Sequence, residues 1–143
     1  MTCLALRPVA WDSNVAAHLL TAVDVGDKDD PTDLDWFRRE YEARRMALVG
    51  AFDGGVHVAT AGYRLEETAG DLEFVIVVCG AALRGLSVVQ HFLPPLENLA
   101  HMAGAKVVRF HTTRGGLVKV AGDVGYHVGE YVLRKRVRHD QQE

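Results

Sequence analysis

The sequence predicts an α/β domain with an antiparallel meander of three strands at its centre, and three observations carry that prediction. The 143 residues are 48% apolar, 24% charged and 8% aromatic, the make-up of one globular core rather than of a disordered, collagenous or membrane chain. The hydrophobic period is helical as far as Met46, extended from Ala47 to Cys79, and helical again after Gly85. Finally, Phe74-Val75-Ile76-Val77-Val78-Cys79 does not alternate with polar residues, which predicts a central strand buried on both faces.

Taken in order, Leu4 to Val9 is a short apolar stretch interrupted by Pro8 and reads as a first strand. Asp12-Ser13-Asn14 supplies N-cap residues, and the stripe Val15, Ala16, Leu19, Leu20, Val23 predicts a helix over 13–23 with His18 beside the stripe. Residues 24–35 hold six aspartates with Gly26 and Pro31. An EF-hand counted from Asp27 would put Thr32 at the loop glycine and Arg38 at the bidentate glutamate, so this stretch reads as a solvated acidic loop ending in an N-cap at Asp33. Trp36, Phe37 and Tyr41 then stand at helical spacing and predict a second helix over 34–46.

The strongest hairpin signal is Ala47 to Phe52, a turn at Asp53-Gly54-Gly55, and Val56 to Leu65. Glu66 to Asp71 turns again into Leu72 to Cys79, which completes the meander. Leu86, Val89, Leu93, Leu96, Leu99, Ala100 and Ala103 recur every three or four residues as a third helix. Pro94-Pro95 should kink it or split it in two, because proline has no N–H and its ring clashes with the carbonyl four residues earlier. Gly104 is a suitable stop, Lys106 to Thr112 reads as a strand, Gly116 to Asp123 as a short helix, and Tyr126 to Val137 as a final strand or hairpin. With no repeats and no linkers, residues 1–143 form a single domain.

Sixteen Lys and Arg against 19 Asp and Glu leave a net charge of −3, which opposes a general grip on nucleic acid or anionic lipid. Cys3 and Cys79 match no metal-ligand spacing and suit a reducing compartment such as the cytoplasm. The N-terminus reaches Arg7 and Pro8 too soon for an export signal, and the longest uncharged apolar run, Phe74 to Leu83, has ten residues, half of the ~20 that a membrane helix needs. His18, His57, His91, His101, His127 and His139 form no short metal-binding pair, so no metal and no role is assigned to them. The run Arg134-Lys135-Arg136-Val137-Arg138-His139 reads as a solvated strand end, the alternative being a contact for phosphate or an acidic partner.

The order strand, two helices, three antiparallel strands, helix, strand, short helix and final strands resembles the GNAT acyltransferase superfamily. The residues that carry the resemblance are the buried strand from Phe74 running into Leu83-Arg84-Gly85-Leu86, the long helix, Gly104-Ala105-Lys106-Val107-Val108-Arg109, and Gly125-Tyr126 before the final segment. The resemblance implies a mixed, mostly antiparallel sheet with helices on both faces and a splay between the fourth and fifth strands. It also implies acyl-CoA, in the first place acetyl-CoA, as cofactor and a small amine as acceptor. Such proteins hold the pyrophosphate on backbone amides at the start of the third helix, in a loop similar to Gln/Arg-x-x-Gly-x-Gly/Ala, where free N–H groups and the helix dipole favour an anion. Carried onto this chain, cofactor contacts fall on Val78, Arg84, Gly85, Leu86 and Ser87.

Two positions depart from the pattern. Aligned on Arg84, the loop has Ser87 and Val89 where glycine or alanine is usual, and a branched Val89 obstructs the approach of a pyrophosphate to the backbone. Counting back from Gly125-Tyr126, Ala121 replaces the tyrosine that commonly protonates the CoA thiolate, and loss of a general acid is typically worth 10²- to 10⁴-fold in rate. Glu73 is placed where a GNAT general base often is, its plainer reading being an exposed strand-end carboxylate. His111 is the best substitute acid or base, the alternative being a hydrogen-bonded structural histidine, and Cys79 reads as an inert core thiol. Catalysis is therefore expected to be weak or lost. The other function class is a non-catalytic binding or assembly component with a protein partner or as a homo-oligomer, like similar degenerate domains in bacteriophage particles.

Overall fold

The computed structural model describes residues 4–23, 33–82, 86–112, 119, 121–133, 135 and 137, with the backbone alone for 86–90. The elements are β1 (Ala5–Pro8), α1 (Ser13–Leu20), α2 (Leu34–Glu42), β2 (Ala47–Asp53), β3 (Val56–Thr68), β4 (Asp71–Ala81), α3 (Leu86–Met102) and β5 (Val107–Phe110). Five strands form one sheet in the order β1-β2-β3-β4-β5, antiparallel throughout except for the parallel β4–β5 pair. The mixed, mostly antiparallel architecture is thus present. The acidic stretch 24–32 lies outside the described residues.

Local chemistry sets the helix ends. Asp12 accepts a hydrogen bond from Val15 N at 2.8 Å and Asp33 one from Trp36 N at 2.7 Å, so both expected aspartate caps form. Each of the first two helices stops short of its expected end. α1 closes at Leu20, where the Thr21 hydroxyl donates to the His18 carbonyl at 2.6 Å. α2 closes at Glu42, where Arg44 turns left-handed at φ 62° and Arg45 N bonds to Glu40 O. Met46 still reaches the core from that turn, which is why its apolar position mimicked a continuing helix.

The apolar side chains divide into two clusters on opposite faces. On one face α3 contributes Phe92, Leu93, Leu96 and Ala100 against Val49, Ala51, Ala59, Ala61, Phe74 and Ile76 of the sheet. On the other, Val15 and Leu19 of α1 and Phe37 of α2 cover Leu48 and Val78. β4 lies between β3 and β5 and feeds both clusters, as its unbroken apolar run predicts.

Two expectations fail, the splitting of the third helix and the final strand. α3 is continuous from Leu86 to Met102 with Pro94 and Pro95 inside it, so the helix is not split. Pro94 is exposed, and the carbonyl four residues before it belongs to the same helix face, where water can take the place of the missing donor. Nor is there a final strand among the described residues. The described residues from Tyr126 to Val137 pair with no strand, and Tyr131 and Leu133 are 86% and 93% exposed. Alternating polarity made this segment competent for a sheet, but it has no buried face against which a strand would be held.

Candidate active site

The site is framed by the way β4 outruns β5. Their pairing covers four positions, Glu73 to Ile76 against Val107 to Phe110, while β4 continues to Ala81. From Val77 to Ala81, β4 therefore has no strand on its β5 side among the described residues. Backbone N–H and C=O groups along such an edge seek partners. A β-bulge falls where the opening begins: Gly62 pairs with Val78 and Tyr63 with Ile76, leaving Val77 as the extra residue. The bulge reverses the facing of β4, so that Phe74, Ile76 and Cys79 belong to the α3 face while Val78 turns to the α1–α2 face.

The residues singled out in the sequence disperse along this frame. Val78 is buried at the opening. Leu86 and Ser87 open α3, beyond the end of β4, while Arg84 and Gly85 lie outside the described residues. Glu73 stands at the other end of β4 in an ion network: Arg109 Nε donates to Glu73 Oε1 at 2.6 Å and Arg109 Nη2 to Glu66 Oε2 at 2.8 Å. Arg64 adds a longer contact to Glu66 at 3.4 Å. His111 follows the end of β5, exposed, with Glu130 at 3.7 Å. Glu73 is level with Val107, so His111 is four residues further along, roughly 13 Å at strand rise, and the two do not form one constellation.

Cys79 packs against the α3-side cluster, and burial pushes its thiol up to about 12, which makes it a poor nucleophile. Ala121 is buried and brings no hydroxyl. Tyr126 is tied to it by a bond from Tyr126 N to Ala121 O and packs edge-on against Phe110 at 5.4 Å. The Tyr126 hydroxyl is buried beside Glu97 without a well-formed hydrogen bond, and burial first, then the neighbouring carboxylate, push it above the usual tyrosine range. No group of three or more His, Cys, Asp or Glu among the described residues could hold a metal.

A cluster that the sequence did not reveal lies on the α1 side. His18 Nδ1 is 2.8 Å from Thr60 Oγ1, which is 2.9 Å from His57 Nε2. His57 and Thr60 would face opposite sides of a regular strand. A bulge between Ala51↔Ala59 and Phe52↔His57 makes Val58 the extra residue and swings His57 to the side of Thr60. Thr60 is flanked in the sheet by Gly50 and Gly80. A Cβ on Gly50 would come within 2.7 Å of His57 Nε2, and one on Gly80 would run into the His18 carbonyl. A row of small residues thus lets α1 sit almost on the sheet. The lone polar Thr60 within Val58-Ala59-Thr60-Ala61 was the only signal in the sequence.

No family model matches the chain, and no curated protein matches it. Solved structures do. A transcriptional regulator from Bacillus halodurans C-125 superposes with a TM-score of 0.67 at 15% identity, over 94% of this chain and 99% of the other. A GNAT family acetyltransferase from Staphylococcus aureus gives 0.62 at 11% identity, over 94% and 99%. The aminoglycoside N-acetyltransferase AAC(6')-Iy, solved in complex with CoA, gives 0.61 at 14% identity, over 96% and 97%. The fold is that of the GNAT acetyltransferases, in a divergent sequence.

Proposed function

We propose that this chain is a GNAT-like domain related to acyl-CoA-dependent N-acyltransferases, retaining the place for a pantetheine arm but with weak or lost catalysis. The observation that carries the reading is the open edge of β4 from Val77 to Ala81, where β5 has ended at Phe110. Ala81 N donates to Thr21 Oγ1 at 3.4 Å, and the backbone edge before it suits an extended amide-bearing chain, which would add to the sheet edge as a strand does. At the far end of that edge α3 begins, and the N-terminus of a helix favours an anion such as a pyrophosphate. Bound acyl-CoA would supply an activated thioester. The chain's own contribution would be to align that arm along β4 and to bring an amine acceptor toward the bulge at Val77.

The described side chains support the reading of weak turnover. Glu73, the candidate base, is held by Arg109, His111 stands apart and exposed, and Ala121 supplies no acid. Removing both proton-transfer partners acts on successive steps, so the losses compound. Acetyl-CoA should bind weakly, and thiol release with simple amines should remain near background. Calorimetry with acetyl-CoA and a thiol-release assay, on the natural protein and on the Val89→Gly, Ala121→Tyr double variant, test this. Binding by the double variant alone supports a degenerate cofactor site, whereas clear turnover by the natural protein overturns the loss of catalysis.

The second reading is a non-catalytic binding or assembly component, and the exposed apolar residues Val128, Tyr131, Val132 and Leu133 favour it. A solvent-facing apolar run of that kind marks interaction surfaces more often than isolated side chains do. If neither protein form binds acetyl-CoA, a protein partner or self-association becomes the function to seek, in a phage particle or elsewhere.

A further inference from the structure

The His57–Thr60–His18 chain has a property that its geometry imposes. Thr60 has one hydroxyl proton, so it can donate to one ring and accept from the other. With both rings neutral, both contacts are satisfied. With one ring protonated they still are, because the hydroxyl turns toward the remaining bare nitrogen. With both protonated, both N–H groups must donate to the one oxygen, and the hydroxyl proton is left with no acceptor. The ring centroids are only 4.7 Å apart, so the two charges would also repel. The arrangement accommodates one charge and disfavours a second.

His18 is where the second proton does damage. It is 3% exposed, in the last turn of α1, and its carbonyl accepts from Thr21 directly over Gly80. The groups around it can be named from each packed element. From β3 come His57 and the uncharged Thr60. From β4 comes Gly80, which has no side chain. The N-cap Asp12 belongs to α1 itself, and α2 meets the shared apolar cluster through Phe37. On the far side of His57, Phe52 stacks at 4.8 Å and carries the Arg7 guanidinium 4.0 Å above its ring. Burial, then His57, lowers the pKa of His18, and Asp12 offsets them in part. Protonating this ring while His57 is charged sets two cations on one hydroxyl, beneath a helix whose His18 carbonyl already lies against Gly80.

We infer that the His57–Thr60–His18 chain is an acid-operated latch, which holds α1 on the sheet when it carries at most one proton and releases α1 when His18 takes up the second. Release would uncover Val15, Leu19 and the cluster around Val78, beside the open edge of β4. The inference rests on the geometry of α1 and stands whether or not acyl-CoA binds.

Hydrogen exchange of the intact natural protein, compared at about pH 7 and about pH 5 and corrected for intrinsic rates, tests it. Protection of the α1 amides from Ala16 to Thr21 should fall at least about tenfold toward acid, while β3 and β4 amides keep theirs. In His18→Asn, which keeps a side-chain nitrogen near the Nδ1 position but does not titrate, the α1 response should vanish. Unchanged α1 protection in the natural protein, or loss from α1 and the strands together, overturns the latch, as does a variant that responds like the natural protein. Should the variant not fold, the ring-proton NMR titration of His18 in the natural protein decides. Its protonation must coincide with α1 opening, and a ring that stays neutral while α1 opens overturns the inference.

Discussion

The two sides of β4 are built in contrasting ways. Toward β3, pairing runs through ten register positions, a bulge adjusts the facing, and the row Gly50, Thr60, Gly80 lets α1 close directly on the sheet. Toward β5, pairing stops after four positions, and beyond Tyr126 the chain offers exposed apolar residues to solvent. The first side behaves as a scaffold whose backbone clearances decide what fits. The second leaves backbone groups and side chains available. That division puts rigidity on the β3 side of β4 and availability on the β5 side.

The largest expected effect tests the scaffold side. Gly80→Ala places a methyl against the carbonyl of His18, which cannot move without lifting α1, and should cost about 3 kcal/mol, lowering Tm by roughly 10 °C. Gly129→Ala is its counterpart in the open segment, where nothing lies within 4 Å of the added carbon, and should stay within about 0.5 kcal/mol. Thermal denaturation of the pair is sufficient. Equal tolerance at the two positions would erase the contrast.

Thr60→Val comes next. The substitution keeps the volume but strips the hydroxyl from between His18 and His57, leaving a buried ring nitrogen without its partner, a loss of about 2 kcal/mol in urea unfolding. A change under about 0.5 kcal/mol would mean that water or another group replaces the hydroxyl. Stability should also depend on pH with a definite sign. His18 titrates in the fold below its ordinary value of 6.5, so the unfolded chain binds the extra proton more readily. The contribution is complete above 6.5 and is lost as pH falls toward the folded-state value. Urea midpoints that rise on acidification through this window would contradict burial of a neutral His18.

Much of the scaffold was legible because short-range chemistry specifies it. Asp53-Gly54-Gly55 marks a hairpin whose two glycines adopt positive φ, 57° and 87°, and Asp12 and Asp33 announce their helices by capping them. Single-residue insertions in register were not legible. Val58 and Val77 look like any other strand residues, yet each reverses the face presented by the residues beyond it, which brings His57 to Thr60 and sends Val78 to the α1 side. Pro94 misled because a helix packed along one face can lose a hydrogen bond on its exposed side. The candidate site was legible as a place, the end of β4, more than as a set of groups. Glu73 bonds to Arg109 from the adjacent strand, a pairing at 36 residues' separation that spacing does not disclose.

The smallest expected effect bears on the open side. Leu133 is 93% exposed, so Leu133→Ser removes little apolar area from any packed environment, and unfolding stability should change by less than about 0.5 kcal/mol. Residues 126–137 were expected as a sheet strand, and a leucine buried in one would instead cost about 2 to 3 kcal/mol on the same substitution. Chemical denaturation of dilute protein therefore separates an exposed segment from a strand docked on its own sheet. Repeating the measurement at several protein concentrations separates both from docking on a second molecule, since stability that depends on association rises with concentration. A loss confined to high concentration would make this segment an interface between copies. A loss at every concentration would restore the final strand, and with it a β5 side as firmly built as the side that carries α1.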